Sequence, residues 1–185
     1  MRRVLAVFFL LLLTGCSANH SEMDKALSIR NQLLKSSGCE FAVQITADYG
    51  EDVYQFTMHC ISDAAGNLSF TVNTPETISG ITGTVSAEGG KLTYDGMLLA
   101  FDLLADGQIS PVSAPWLFIK ALRGGYISSC GNEGENLILF IDDSYAEDAL
   151  RLQIAADSNS IPVHAEIFWQ GSCVVTIRIL EFKYT

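Results

Sequence analysis

Five cysteines, three histidines and several paired carboxylates are the side chains of this 185-residue sequence able to form covalent bonds, ligate ions or move protons. Cys16 is set apart by its surroundings, because it follows Leu13-Thr14-Gly15 at the end of a short apolar run. A thiolate there can be alkylated to a thioether, and the small residues before it leave a peptidase room to cut. Cys39, Cys60, Cys130 and Cys173 form no Cys-x-x-Cys, so neither zinc binding nor dithiol exchange has a spacing to rest on. His164 and Glu166 share a strand face at i, i+2, which suits a metal, an acid–base pair or a plain solvated ion pair. His59 falls on the polar side of its strand with Gln55 and Thr57, and His20 lies near the N-terminus. Asp142-Asp143 with Glu147-Asp148 forms an acidic cluster that could hold Ca²⁺, but it lacks calcium-loop alternation and reads better as a turn. Neither Gly-x-Ser-x-Gly, His-Glu-x-x-His nor a phosphate-binding glycine loop occurs. No nucleophile and base can be named. The sequence therefore points away from an enzyme, with no catalytic residue, metal or cofactor expected.

Before Cys16, Arg2 and Arg3 form a basic start, and Val4 to Leu13 form an apolar core too short to span a bilayer. The pattern resembles the lipobox of bacterial lipoproteins, whose cysteine receives a diacylglyceryl group and becomes the first residue of the mature chain. That resemblance implies a signal peptide over residues 1–15, a lipidated Cys16 with a short polar tether over 16–20, and one domain over 21–185. Acyl chains contribute about 0.8 kcal/mol per buried CH₂, so two of them hold a protein on a membrane almost permanently. The expected place is extracytoplasmic, with the chain anchored to the cell membrane through Cys16.

The full chain has a formal net charge of −10. Arg2 and Arg3 are two of its 11 cations, so the part after the signal stands near −12. Such a surface repels phosphate backbones and anionic headgroups, which excludes nucleic acid as a partner. Apolar residues make up 49% of the chain, enough for a packed core and too many for a disordered stalk.

The elements that must position these groups follow from periodicity. Ser21 as N-cap, with Met23, Ala26, Leu27, Leu33 and Leu34 at helical spacing and Gly38 as stop, predicts a helix over about 21–37. From Cys39 the period becomes two. Phe41, Val43 and Ile45 alternate with polar residues, and Tyr54, Phe56 and Met58 do so after Tyr49-Gly50, which predicts a β-hairpin. A two-residue Tyr49-Gly50 loop sets Val43 opposite Phe56 and brings Cys39 opposite Cys60. Directly opposed residues lie close enough for a disulfide after a small adjustment, so Cys39–Cys60 is a candidate bridge. Further strands are expected over 68–72, 78–87, 91–94, 97–104, 126–130, 137–141, 150–156, 163–169 and 174–182, with a short helix inserted over 111–122. Followed as a simple meander, this order puts Cys130 and Cys173 at opposite ends of the sheet, too far apart to pair.

The predicted fold is α+β: a large curled antiparallel sheet, an incomplete half-barrel, covered by the N-terminal helix and the inserted short helix. A sheet of around ten strands must curl or close. A curled sheet under two helices encloses either an apolar hollow or a packed core. Phe41, Val43, Tyr54, Phe56, Met58 and Trp116 are the candidate lining of such a hollow, and equally the candidate core.

Several segments resemble the LolA-type family of lipoprotein carriers and related lipid-binding envelope lipoproteins. They are Leu68 to Glu76 with its strand, proline and acid, the hairpin Lys91-Leu92-Thr93-Tyr94-Asp95-Gly96, the Pro-led Ala114-Pro115-Trp116-Leu117-Phe118-Ile119, and the closing hairpin from Ile161-Pro162-Val163 to Phe182. The resemblance implies a half-barrel that holds an acyl-chain ligand or a lipoprotein in its concavity. One branch in spore-forming anaerobes implies another role, docking on a cell-wall (cortex) hydrolase during germination. The chain departs from the carrier in having its own lipobox and in its acidity, and a tethered protein cannot shuttle between membranes.

Overall fold

A computed structural model describes residues 18–105, 108–144 and 149–185. The expected signal peptide, Cys16, Asp106, Gly107 and the acids Glu147 and Asp148 lie outside the described residues.

Helix α1 (Ala18–Lys35) begins three residues before Ser21, so Ser21 lies inside it and caps nothing. Its buried stripe is Ala26, Ile29 and Leu33, spaced by three and four as a helix face requires. Leu27 and Leu34 fall off that stripe and are exposed, which corrects the expected apolar set. Gly38 belongs to the first strand and does not stop the helix. A Cβ there would stand 2.0 Å from the Ser62 carbonyl oxygen, so the close approach of the neighbouring strand demands glycine.

Among the described residues thirteen strands follow: β1 (Gly38–Asp48), β2 (Val53–Asp63), β3 (Leu68–Thr74), β4 (Thr82–Ser86), β5 (Gly89–Tyr94), β6 (Met97–Phe101), β7 (Leu104–Ala105), β8 (Gln108–Ile109), β9 (Tyr126–Glu133), β10 (Asn136–Asp142), β11 (Arg151–Ala156), β12 (Pro162–Trp169) and β13 (Ser172–Tyr184). Helix α2 (Ala114–Gly124) is inserted between β8 and β9. The expected strand 78–87 is shorter, because a 3₁₀ turn at Glu76–Ile78 takes its first part. Eleven strands form one antiparallel sheet in the order β6-β5-β4-β3-β2-β1-β13-β12-β11-β10-β9, and β7-β8 form a separate ribbon. The sheet is not closed: β6 and β9 are its edges. This is the α+β half-barrel that the sequence predicts.

Alternation along each strand puts one face inward. Cys39, Phe41, Val43, Ile45 and Ala47 of β1 are all buried, as are Met58 and Cys60 of β2 and Val175 and Ile177 of β13. They pack in a single cluster with α1 and with Trp116, Leu117, Phe118 and Ile119 of α2.

The hairpin register differs from expectation. The loop has four residues, with Tyr49 N–H bonded to the Asp52 carbonyl at 3.0 Å and Gly50 N–H to Asp48 Oδ1 at 2.9 Å. Val43 therefore faces Met58, Ile45 faces Phe56, and Cys39 faces Ser62. A slip of two residues keeps every side chain on its face while changing every partner. Cys39 and Cys60 are diagonal neighbours, both buried and both free thiols, so the expected disulfide is absent from the structure. Diagonal pairs stand about 7–8 Å apart, beyond the reach of a bridge. Cys130 and Cys173 are also free, and strands β10, β11 and β12 separate β9 from β13.

Candidate functional site

The concave face is built around α2, which four groups hold in place. Ser113 donates its hydroxyl to the Ser110 carbonyl at 2.7 Å, ahead of the first turn. Trp116 Nε1–H donates to the Gly66 carbonyl at 3.0 Å, and Arg123 donates to the Ala64 carbonyl at 2.6 Å. Both acceptors lie in the β2–β3 turn. That turn is itself tied by Asp63, whose carboxylate accepts from the Ala65 and Asn67 amides at 2.9 Å each. Hydrogen bonds, first of all from the Asn67 side chain, hold the Asp63 carboxyl below its ordinary value.

The fourth group comes from α1. Arg30 donates to the carbonyls of Leu122 at 2.7 Å, Gly125 at 2.6 Å and Ala121 at 3.3 Å. A helix end leaves its last carbonyls without partners, and a guanidinium fork satisfies several while opposing the negative end of the dipole. Burial lowers the Arg30 pKa, though a guanidinium keeps its charge.

Beneath α2 the interior is filled. Of the expected cavity lining, Phe41, Val43, Phe56, Met58 and Trp116 are buried in the core cluster. The Phe41 ring meets Phe118 edge-on at 5.9 Å and stacks on Phe182 at 5.8 Å. Tyr54 is different. It lies opposite Ala47 at the rim, half exposed, against the Tyr49 ring at 6.1 Å, and does not line an interior. The Tyr49 hydroxyl donates to the Ile109 carbonyl, pinning the β7–β8 ribbon. Four surface recesses of about 350–690 Å³ are open to solvent, and none of the four is walled by Phe41, Val43, Phe56, Met58 or Trp116.

The apolar surface that remains open lies elsewhere. Beyond the helices, the inner face of β5 and β6 presents Tyr94, Met97 and Leu99, which are 43%, 61% and 55% exposed, beside half-buried Leu92. Leu98, on the outer face of β6, is 68% exposed. Sequence reasoning found these strands but not their exposure, which depends on strand order.

The other candidates resolve into local contacts. His59 points outward as expected and meets Glu40 at 2.8 Å across the β1–β2 pair. His164 and Glu166 stand 3.4 Å apart, half-buried. Asp142 pairs with Arg151 at 2.9 Å, and Asp143 accepts the Leu150 amide at 2.9 Å. Among the described residues, no three His, Cys, Asp or Glu side chains gather at metal-binding distance. Burial pushes the Cys39 thiol up to about 12 and raises Cys60, Cys130 and Cys173 as well. A protonated thiol is a poor nucleophile and a poor metal ligand. No helix in the described residues is long and apolar enough to cross a membrane.

No protein-family profile matches the chain, and no curated protein does. Solved structures are similar to it in fold. A putative outer membrane lipoprotein-sorting domain from Vibrio parahaemolyticus matches with a TM-score of 0.49 and 7% identity, over 88% of this chain and 91% of that one. A LolA superfamily protein from Nitrosomonas europaea matches with a TM-score of 0.45 and 11% identity, over 86% and 93%. One chain in the structure of the CwlD amidase in complex with the GerS lipoprotein, from Clostridioides difficile, matches with a TM-score of 0.44 and 9% identity, over 94% of this chain and 100% of that one.

Proposed function

We propose that this chain is a lipid-anchored protein of the cell envelope, held to the membrane through Cys16, that catalyses nothing itself and acts by binding a protein partner. The observation that carries this reading is the filled interior. Phe41, Val43 and Met58 are each no more than 1% exposed, and the Phe41 ring packs against those of Phe118 and Phe182. A cell-wall hydrolase is the partner class that the resemblance to germination lipoproteins implies. An acyl-chain ligand has one observation in its favour, the open strip of Tyr94, Met97 and Leu99, which would hold it on a surface and not in a closed hollow.

One preparation tests both parts. The Cys16→Ala variant is expected to fold, to incorporate no labelled fatty acid and to leave the membrane fraction. It can then be purified without detergent and extracted with organic solvent. The expected extract holds no stoichiometric acyl lipid. One acyl lipid per chain would replace the partner reading with the ligand reading, and fatty-acid label persisting in the variant would remove the anchor.

A further inference from the structure

On the reading that this chain works by binding a protein, we propose that the free edge of β6 is the docking site, and that it takes an extended strand of the partner with an apolar centre and a basic residue at each end. Tyr94-Asp95-Gly96-Met97 is a two-residue hairpin whose central residues have φ of 49° and 76°, as a type I′ turn requires. The pair flanking such a turn exchanges both ladder bonds, and bonded pairs alternate along the ribbon. Met97, Leu99 and Phe101 are therefore tied to β5. Leu98 and Ala100 turn their N–H and C=O groups outward, and among the described residues no strand pairs with that edge.

An open ladder is normally blunted by a lysine, a proline, a bulge or a covering element. The opposite edge follows that rule: α1 packs on β9, and Asn132 of β9 bonds to Glu22 of α1 at 3.0 Å. Among the described residues, strand β6 has none of these devices. It reads Met-Leu-Leu-Ala-Phe, with Met97, Leu98 and Leu99 more than half exposed.

Charge indicates the occupant. Strands β4, β5 and β6 contain no acid although the chain has 21, and their one charged residue is Lys91. The acids stand in the connections, all exposed: Asp95 before β6, Asp102 after it, and Glu88 in the turn beside Asp102. Glu88 and Asp102 share an open recess of about 460 Å³ at that end. An incoming strand would thus meet an apolar middle of about 17 Å between two acidic ends. A second copy of this chain would bring the same acids to those ends, whereas lysine or arginine complements them. Strand addition gains affinity from main-chain bonds and selectivity from alternate side chains.

The test uses a capped, fluorescein-labelled peptide, Lys-Thr-Val-Thr-Val-Thr-Lys, titrated by anisotropy against the full chain in detergent. A twin with Glu in place of both lysines is the charge control. The lysine peptide should bind saturably, and the twin about tenfold more weakly. Ala100→Pro deletes an outward N–H without touching the β5 ladder, and should weaken binding by about tenfold or more while far-UV circular dichroism stays unchanged. If that variant fails to fold, Leu98→Lys serves instead, since its cation opposes the peptide's own charge from an exposed position. Undiminished binding in these variants, silence with the lysine peptide, or a wild-type dimer that Ala100→Pro dissolves would each overturn the proposal. A silent titration alongside a partner crosslinked in native membranes would sink the edge but leave the binding reading standing.

Discussion

Replacing Arg30 with methionine should unlock the two helices from one another. The variant keeps the apolar stem and removes the fork, so the packing loss is small. Of the three carbonyls that Arg30 reaches, Ala121 also accepts the Gly125 amide at 2.9 Å and stays satisfied. The carbonyls of Leu122 and Gly125, held at 2.7 and 2.6 Å, lose their Arg30 partner. Hydrogen bonds from charged donors contribute about 1.5–3 kcal/mol each, which sets an upper limit of about 3–6 kcal/mol. Arg30 is only half-buried, so water recovers part of both bonds, and the expected net loss is about 2–3 kcal/mol. For a domain of this size that lowers Tm by about 5–10 °C. Urea unfolding measures the loss directly, and hydrogen exchange locates it. Amides in the last turn of α2 should exchange faster, while those of β1 keep their protection. Arg30→Lys should recover less than half of the loss, because an ammonium cannot span carbonyls on three sides. A loss below about 0.5 kcal/mol for Arg30→Met would place it with ordinary surface changes and refute the clamp.

Phe56→Ala should cost about 3–5 kcal/mol in urea unfolding, since the buried ring leaves a cavity. A much smaller loss would mean that the site is loosely packed. Tyr54→Ala, at the exposed rim, should cost about 1 kcal/mol or less in the same measurement. Cys39 and Cys60 should resist a thiol reagent in the native protein at pH 8 and react on unfolding, whereas exposed Cys173 should be labelled first. A bridge found between residues 39 and 60 by non-reducing peptide mapping would show that the register must shift. Folded-state pKa values are raised at Cys39, Cys60, Tyr49 and Tyr184, chiefly by burial, so the unfolded chain loses these protons first as pH rises. Stability should therefore hold below pH 9, the ordinary cysteine value, and decline above it. Denaturant midpoints between pH 7 and 11 test this, and a midpoint that rises above pH 9 contradicts it.

What periodicity encodes was legible, and what depends on distant partners was not. Phe41, Val43 and Ile45 share the inner face, as their alternation requires, because side chains alternate with period two whatever the neighbour is. Their partners differ from the expected ones because register is set by loop length. The four-residue loop is fixed by Asp48 folding back on Gly50, which alternation does not reveal. The helix was found from its leucines, yet its inward stripe runs through Ile29, since the face that is buried depends on what α1 packs against. Arg30 left no local signal at all. It looks like any helical cation, and its acceptors lie more than 90 residues away.

The filled interior and the open edge have one geometric origin. Ten inter-strand steps at about 4.8 Å make the sheet about 48 Å wide. Helices of 18 and 11 residues are about 27 and 17 Å long, so even end to end across the strands they fall short. They also overlap, because both reach β10. The main contacts of the helices therefore lie over the centre and the β9 side, with β1, β2, β13, β10 and β9, and leave Tyr94, Met97 and Leu99 of β5 and β6 open. Polar inward residues would hide such a remainder from other proteins at no cost to the core. This chain instead places Leu92, Tyr94, Met97 and Leu99 there and moves its acids to the turns. Folding alone does not require that arrangement, and an apolar strip with an unpaired ladder and acidic ends is a surface suited to a partner's strand.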